Sequence, residues 1–272
     1  GCASMEETLR MLQQAYAEGI RVLIATPHYG KWNPDYDRKK AEDLCRQVRK
    51  RLAALHSDMK IFMGNEIYYA PGVLDDLRAG KAATLGGTDY ALVEFSAKAE
   101  YQELYQGLRG FVTAGYRPIL AHIERYQCLA KELDLVRDLV ENGVYVQVNA
   151  RGFLGGKFDK RTAWCLKLFE NDLIHFIASD CHNCESRAPV LQQAVEKLLS
   201  LKKRFLIILL TAMVFAAGAG VYSFFIASPV YESTSKLYIL TQSTSITSLA
   251  DIQAGSSLAL DYVEMIQSRA VV

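Results

Sequence analysis

Residues 205–227 form the stretch that most restricts how this chain can fold, because no charged side chain occurs in it. A helix needs about 20 consecutive apolar residues to cross the hydrocarbon core of a bilayer. Helices buried in soluble domains rarely run this long without a polar residue on one face. The stretch lies late in the 272-residue chain and follows a polar region, so it is not a cleavable signal peptide. We therefore predict one transmembrane helix over residues 205–227.

The charges around this stretch predict its orientation. Lys202, Lys203 and Arg204 directly precede it, which by the positive-inside rule places residues 1–204 in the cytoplasm and residues 228–272 outside it. All six cysteines precede the span, as expected for a reduced cytoplasmic domain. Residues 1–201 carry 26 basic and 26 acidic side chains. This balance argues against nucleic-acid binding, which requires a basic surface.

From residue 4 to residue 200, short apolar runs alternate with amphipathic ones. This pattern predicts an α/β fold with a mainly parallel sheet, either open or closed into a barrel. Ser4 and Glu7 form a capping box that opens the first helix. Because an α/β repeat begins with a strand, we expect a first strand that this chain lacks. The predicted strands are residues 21–25, 60–64, 90–93, 117–121, 144–148 and 174–179, and the predicted helices are residues 4–18, 35–56, 100–114, 131–142, 160–171 and 189–200.

Histidines and carboxylates recur at the ends of these predicted strands. The carboxyl ends of parallel strands meet at one edge of a sheet, so we expect these side chains to converge there. Imidazole and carboxylate ligands suit Mn, Fe or Zn without a thiolate. Any one of them alone could be a structural histidine or a capped turn, but six placed alike predict a polynuclear metal site. The six residues are His28, Glu66, Glu94, His122, Asp180 and His182.

Two arginines follow these candidate ligands. Arg125 lies three residues after His122, and Arg187 lies five residues after His182. A guanidinium group can bind a phosphate through two parallel hydrogen bonds, or it can form an ordinary surface ion pair. Position in the sequence leaves both possibilities open.

A cysteine mechanism is the main chemical alternative. Residues 181–187 contain the Cys-x5-Arg spacing of cysteine phosphatases. The segment has no glycine that would let backbone amides surround a phosphate, and Asp180 and Glu185 would repel a dianion. Cys181 and Cys184 could also form a redox or zinc pair, but no second pair completes a zinc site. Residues 152–157 lack the length and the Ser/Thr of a phosphate-binding loop.

Residues 1–198 resemble the bacterial capsule and exopolysaccharide tyrosine-protein phosphatases of the polymerase-and-histidinol-phosphatase (PHP) superfamily. The resemblance implies a distorted PHP-type β/α barrel lacking its first strand, with a manganese-preferring di- or trinuclear site. It implies hydrolysis of phosphotyrosine on the tail of a capsule autokinase. It assigns metal binding to the six residues above and phosphate contact to Arg125 and Arg187. The motifs that carry it are Thr26-Pro27-His28, Gly64-Asn65-Glu66-Ile67-Tyr68-Tyr69, Glu94-Phe95-Ser96, Ala121-His122-Ile123-Glu124-Arg125-Tyr126 and Ala178-Ser179-Asp180-Cys181-His182-Asn183.

One departure from this family concerns activity. Its members begin with a strand that bears a His-x-His pair, followed by an aspartate, and these three expected ligands are absent here. Loss of three donors is expected to weaken metal binding and to change the geometry of the site. The resemblance therefore puts the activity of this chain, as it stands, in question.

Residues 202–272 resemble a second family, the polysaccharide chain-length determinants and tyrosine-kinase modulators. The basic cluster, the apolar stretch and the segment 228–238 (SPVYESTSKLY) carry this resemblance. We expect a phosphatase domain at residues 1–200, the span at 205–227, and a short α+β extracytoplasmic fragment at 228–272 with a strand at 231–240 and a helix at 256–268.

A non-enzymatic function is the rival hypothesis. In it, the span and residues 228–272 act as a chain-length-determinant or kinase-modulator fragment in polysaccharide export. Ala212, Ala216 and Gly220 place small residues at every fourth position of the span, a spacing that lets helices self-associate in lipid. A third hypothesis keeps the PHP barrel but gives it another phosphoester substrate, such as histidinol phosphate.

Overall fold

The computed structural model describes residues 2, 4–55, 58–156 and 158–225. The chain separates into two compact units, Gly1–Leu210 and Thr211–Val272. The extracytoplasmic strand and helix predicted at 231–240 and 256–268 lie outside the described residues, as do residues 226 and 227 of the predicted span.

Strands and helices alternate through the first unit, as the sequence pattern predicts. The strands are β1 (Val22–Ala25), β2 (His28–Tyr29), β3 (Lys60–Met63), β4 (Glu66–Tyr68), β5 (Tyr90–Glu94), β6 (Arg117–Leu120), β7 (Tyr145–Asn149) and β8 (Phe176–Ala178). The helices are α1 (Met5–Ala17), α2 (Arg38–Leu55), α3 (Val73–Arg78), α4 (Tyr101–Thr113), α5 (Leu133–Glu141), α6 (Lys160–Glu170) and α7 (Gln192–Phe225).

All described strand pairings are parallel and form two sheets. β1 pairs with β3, and the second sheet has the order β2-β4-β5-β6-β7-β8. Within the described residues, β2 and β8 each pair on one side only, so the architecture is an α/β half-barrel. The α/β class predicted from the sequence is confirmed. The barrel that the resemblance implies is not closed among the described residues, because β2 and β8 do not pair with each other.

The sequence pattern missed the change of sheet after β1 and β3. It predicted a single strand at residues 60–64, whereas β3 and β4 belong to different sheets. Asn65, fully buried between them, donates to the Pro27 carbonyl (2.9 Å) and accepts from the Ala83 amide (2.8 Å). A Cβ at Gly64 would lie 2.8 Å from a methyl carbon of Leu85, so only glycine fits this crossing.

The main core lies between the six-stranded sheet and its helices. Alternate strand residues such as Val93 and Val148 are fully buried there with Leu104 and Leu108 of α4. Side chains at i and i+2 share a face of a strand, so Glu94 and Asn149 occupy the opposite face from these core residues. The fold therefore leaves one face of the sheet free for polar side chains.

Helix α1 begins as the capping pattern predicts. The Glu7 amide donates to Ser4 Oγ (3.1 Å), which satisfies one of the amides that a helix N-terminus leaves free. Glu18, just after α1, accepts hydrogen bonds from the amides of Leu191 and Gln192 (3.2 and 3.0 Å). These hydrogen bonds join the end of α1 to the start of α7.

The predicted end of a helix at residue 200 is wrong, because α7 is one continuous helix over Gln192–Phe225. Its first turns contact the core through Ala194 and Leu198, and Lys197 Nζ donates to the Phe153 carbonyl (2.7 Å). No glycine or proline occurs between residues 192 and 217 to end the helix. Over the described ranges, none of the helices combines the length and apolar character that crossing a bilayer requires.

Candidate metal centre

The candidate ligands lie at the starts or the ends of strands in the six-stranded sheet. His28 and Glu66 open β2 and β4 and are directly paired in the parallel register. Glu94 ends β5, and His122 follows β6. Asp180 and His182 follow β8. His28 and Glu66 thus follow β1 and β3 of the two-stranded sheet and begin strands of the six-stranded sheet, whereas the other four residues end or follow strands of that sheet.

Four of the six are in mutual contact. His122 Nε2 lies 3.0 Å from Glu66 Oε1 and 3.3 Å from Glu94 Oε1. His28 Nδ1 lies 3.4 Å from Glu66 Oε2 and 3.8 Å from Glu94 Oε2. Donor atoms of His28, Glu66 and Glu94 all lie within 4.8 Å of one another. We call His28, Glu66, Glu94 and His122 the buried cluster.

The chemistry of the buried cluster fits a divalent cation. Among the described residues, His28 Nδ1, Glu94 Oε2 and His122 Nδ1 are buried without a hydrogen-bond partner. Buried polar atoms in folded proteins are nearly always partnered, and buried charges are paired or coordinate metals. Imidazole nitrogen and carboxylate oxygen are ligands for Mn, Fe or Zn. A cation bound between His28 and the two glutamates would satisfy His28 Nδ1 and Glu94 Oε2.

His122 and Glu94 each shift the pKa of the other. Burial disfavours the charged His122 imidazolium, but its hydrogen bonds to Glu66 and Glu94 outweigh burial and raise the pKa of His122 to about 9. Burial alone would raise the pKa of Glu94, yet the hydrogen bond and charge of His122, together with the charges of His28 and Arg125, lower it. Without metal, a proton on His122 therefore takes the place of a cation.

Asp180 is surrounded by hydrogen-bond donors. Its Oδ2 accepts from Arg125 Nη2 (2.9 Å), Arg187 Nη2 (2.6 Å) and Asn149 Nδ2 (2.9 Å). The ion-pair alternative for both arginines is thus realised in this structure. Their side chains stay 38% and 40% exposed, so an anion from solvent can reach them. We call Asp180, Arg125 and Arg187 the arginine cluster.

His182 lies between the two clusters. Its ring centroid is 6.3 Å from that of His28, and its Nδ1 lies 3.6 Å from Asp180 Oδ1. Burial lowers the pKa of His182, which favours the neutral imidazole that a metal requires.

The backbone at two of these residues is unusual. His122 has φ +36° and Asp180 has φ +48°, in the left-handed region that non-glycine residues rarely adopt. Such conformations cost about 1–3 kcal/mol and concentrate at functional sites. Each directs a side chain to the carboxyl edge just past the end of a strand.

Sequence reasoning missed the buried amides of Gln147 and Asn149. Gln147 Oε1 accepts from the His122 amide (3.1 Å), and Gln147 Nε2 donates to Asn149 Oδ1 (2.8 Å). Asn149 in turn donates to Asp180. This amide chain connects His122 to the arginine cluster. The available signal was two polar residues at alternate positions of an otherwise apolar strand.

The cysteine alternative receives no support from this geometry. Cys181 and Cys184 are both free, so they do not form the disulfide of a redox pair in this structure. Arg187, the arginine of the Cys-x5-Arg spacing, is bound to Asp180. The loop does not run directly into a helix, since the next helix along the chain begins only at Gln192.

Two family models match the chain. The model described as capsular polysaccharide synthesis, CpsB/CapC, matches residues 1–205. The model described as chain length determinant protein matches residues 195–272.

Individual proteins match the same two regions. Tyrosine-protein phosphatase CpsB of Streptococcus pneumoniae is 34% identical over 201 residues, covering 72% of this chain and 83% of that protein. Tyrosine-protein phosphatase YwqE of Bacillus subtilis strain 168 is 32% identical over 206 residues, covering 75% and 80%. Capsular polysaccharide biosynthesis protein CpsC of Streptococcus agalactiae is 44% identical over 69 residues, covering 25% and 30%.

A solved structure shares the half-barrel. It comes from the crystal structures of YwqE from B. subtilis and CpsB from S. pneumoniae, described as unique metal-dependent tyrosine phosphatases. The TM-score is 0.66 at 30% identity, with 73% of this chain and 80% of that chain covered.

Proposed function

Because the chain belongs to the CpsB/CapC capsular polysaccharide synthesis family, we propose that its first 205 residues form a metal-dependent phosphotyrosine-protein phosphatase. The observation that carries the proposal is the buried cluster of two histidines and two glutamates, with unpartnered donor atoms, beside two arginines that solvent can reach. Phosphate-ester hydrolysis needs both features, since cations activate water and arginines bind the phosphoryl oxygens.

In this proposal, His28, Glu66, Glu94 and His122 hold manganese, with Asp180 and His182 completing a di- or trinuclear site. The imidazole nitrogen and carboxylate oxygen donors suit Mn, Fe or Zn, and the resemblance to the PHP-type phosphatases favours manganese among them. Binding requires that the proton on His122 leave, because only the neutral imidazole is a ligand. When bound, the metal lowers the pKa of a coordinated water, so that hydroxide is available near neutral pH.

Arg125 and Arg187 are proposed to bind the phosphoryl group. Both now share one oxygen of Asp180, and an incoming phosphate would compete with that carboxylate for their N–H groups. The two guanidinium groups would then orient the phosphate and neutralise the charge that develops on its oxygens. The leaving tyrosinate needs little proton donation, because a phenol has a pKa of about 10.

For the C-terminal part, we propose a membrane tether. Residues 205–227 would span the cell membrane once, with residues 1–204 cytoplasmic and 228–272 extracytoplasmic, in the domain order 1–200, 205–227 and 228–272. The match of residues 195–272 to the chain length determinant model supports membrane association. The exposure of Val214 (71%) and Phe215 (79%) on α7 also supports it. The proposed substrate is the phosphotyrosine tail of a bacterial tyrosine autokinase that acts at the same membrane.

Metal-dependent hydrolysis tests the phosphatase function. The purified chain, stripped with EDTA and reloaded with Mn²⁺, Fe²⁺ or Zn²⁺, is expected to release phosphate from a phosphotyrosine peptide, fastest with Mn²⁺. Glu66→Gln should abolish release, and Cys181→Ser should leave it unchanged. Hydrolysis that persists in EDTA but is lost in Cys181→Ser would instead support the cysteine mechanism.

The match of residues 195–272 favours a second candidate function, a non-enzymatic chain-length-determinant or kinase-modulator fragment in polysaccharide export. It predicts oligomers in membranes through Ala212, Ala216 and Gly220. Ala216 is exposed, and the exposure of the other two is not described by the structure. Crosslinked oligomers that disappear in Gly220→Leu, together with no hydrolysis under any metal, would favour this function.

A further inference from the structure

Two aromatic rings meet at a right angle on a surface next to the buried cluster. The ring centroids of Trp32 and Tyr68 are 5.8 Å apart and their planes are inclined by 86°. Trp32 is 55% exposed, and Lys31 Nζ lies 5.0 Å from the Trp32 ring and 5.2 Å from the Tyr68 ring. We call the Trp32 and Tyr68 rings the aromatic corner.

The strand register places the aromatic corner beside the candidate ligands. Tyr68 is directly paired with Glu94 across β4 and β5, and neighbouring strands lie about 4.8 Å apart. Tyr68 also shares a face of β4 with Glu66, because side chains two residues apart point the same way. The Tyr68 side chain therefore leaves the sheet on the same face as both glutamates.

A tight turn attached to His28 brings Trp32 to this position. The Asn33 amide donates to the Gly30 carbonyl (2.9 Å), and Asn33 Nδ2 donates to the His28 carbonyl (3.2 Å). Gly30 has φ +94°, and a Cβ there would lie 3.6 Å from the Tyr68 Cβ. Glycine at residue 30 thus lets the turn fold back so that Trp32 meets Tyr68.

We propose that the aromatic corner is the subsite for the phenyl ring of phosphotyrosine, an inference that rests on the phosphatase function proposed above. In phosphotyrosine a single oxygen joins the ring to phosphorus. When the phosphate of phosphotyrosine binds between the buried cluster and the arginine cluster, the phenyl ring attached to it lies close to Glu94. Tyr68 of the aromatic corner is paired with Glu94. Two perpendicular rings offer a third ring both a face and an edge, the arrangements that aromatic pairs prefer.

The surroundings of the corner agree with this use. Lys31 is exposed, and its ammonium group lies over both rings. In this proposal, the phenyl ring of the substrate displaces the flexible Lys31 side chain. Gly30 and Tyr68 also line a cavity of about 950 Å³, which leaves room for residues that flank the phosphotyrosine. A phosphoserine has no ring to place in the corner, so the corner selects for tyrosine.

Binding of two small phosphonates tests the proposal without requiring catalysis. The Mn²⁺-loaded full chain is titrated with phenylphosphonate and with methylphosphonate, which share the anion and differ in the ring. We expect phenylphosphonate to bind about tenfold more tightly and to change the fluorescence of Trp32. The other tryptophan, Trp164, is buried at 6% exposure and serves as a constant background.

Variants assign the preference to the corner. Trp32→Ala should reduce the tenfold ratio to about twofold or less and leave methylphosphonate affinity unchanged, and Trp32→Phe should keep most of it. Phe158→Ala is the matched control, because Phe158 is 93% exposed on the loop after β7 and lies outside the corner. Since Trp32 is exposed, its removal should not unfold the chain.

The outcomes separate this inference from the function it rests on. A phenyl preference that is absent, or that survives Trp32→Ala, overturns the aromatic subsite, and Mn²⁺-dependent hydrolysis of a phosphotyrosine peptide in the same preparation keeps the phosphatase function. If the parent chain binds neither phosphonate and hydrolyses no phosphotyrosine peptide, both are overturned.

Discussion

The buried cluster and the arginine cluster are neighbours, but they differ in their charged groups and in their exposure to solvent. In the buried cluster, Glu66 and His122 are 8% and 3% exposed, and two carboxylates lie within 4 Å of two imidazole rings. In the arginine cluster, two guanidinium groups share one carboxylate at the surface. The first arrangement offers ligand atoms to a cation, and the second has positive charge to spare for an anion. The contrast teaches that neighbouring residues of one site can suit different ligands, with the buried cluster suited to a metal ion and the arginine cluster to a phosphate.

Removing one carboxylate from the buried cluster should have the largest effect. We expect Glu94→Gln to lower Mn²⁺ affinity by at least about 1,000-fold, because losing a ligand exceeds the 10- to 100-fold loss caused by outer-shell partners. Equilibrium dialysis with the purified chain measures this. Glu132→Gln, at an exposed position before α5, is the matched control and should leave affinity unchanged. Equal affinity in both variants would show that Glu94 is not a ligand.

The raised pKa of His122 predicts how the metal-free chain responds to pH. Its folded value of about 9 lies above the ordinary 6.5, so its stabilising contribution is fully present below pH 6.5 and is lost as pH rises through about 9. A shift of this size corresponds to about 3 kcal/mol. Urea unfolding in EDTA at pH 6 and pH 9.5 measures the loss. His122→Asn should flatten this part of the profile, and an unchanged slope would contradict the assignment.

Changing an arginine should separate the two clusters. We expect Arg187→Lys to weaken methylphosphonate binding by about tenfold, since lysine cannot form the two parallel hydrogen bonds of a guanidinium group. Mn²⁺ affinity should stay within about threefold, because Arg187 is not a ligand. Arg78→Lys, in a surface pair with Asp75 (3.0 Å), is the control. If metal and phosphonate binding fall together, the clusters do not act separately.

The amide chain between the clusters should give the smallest effect. Asn149→Ala removes a donor to Asp180 and leaves buried Gln147 Nε2 without its acceptor. We expect about 1–2 kcal/mol lower unfolding free energy, the cost of an unsatisfied buried group. Asn171→Ala, which removes an exposed hydrogen bond to the Lys167 carbonyl, should cost less than about 0.5 kcal/mol. Similar losses in both variants would mean that the buried chain has no special role.

Much of the fold could be predicted because hydrophobic periodicity reflects local geometry. The strands β5, β6 and β7 and the helices α4 and α6 lie within a residue or two of their predicted bounds. β2, β4 and α3 were missed because they span two, three and six residues, too short to show a period. The continuity of α7 was missed because a polar cluster at residues 202–204 resembled a boundary.

The sequence by itself predicted that histidines and carboxylates would gather, because each of them ends or follows a predicted parallel strand. Only the tertiary structure decided which of them touch. His122 meets Glu66 and Glu94, while Asp180 holds Arg125 and Arg187, and Trp32 reaches Tyr68. These contacts join residues far apart in the chain, and they depend on strand register and on the change of sheet at Gly64 and Asn65. A one-dimensional pattern carries the period of an element but not its neighbours.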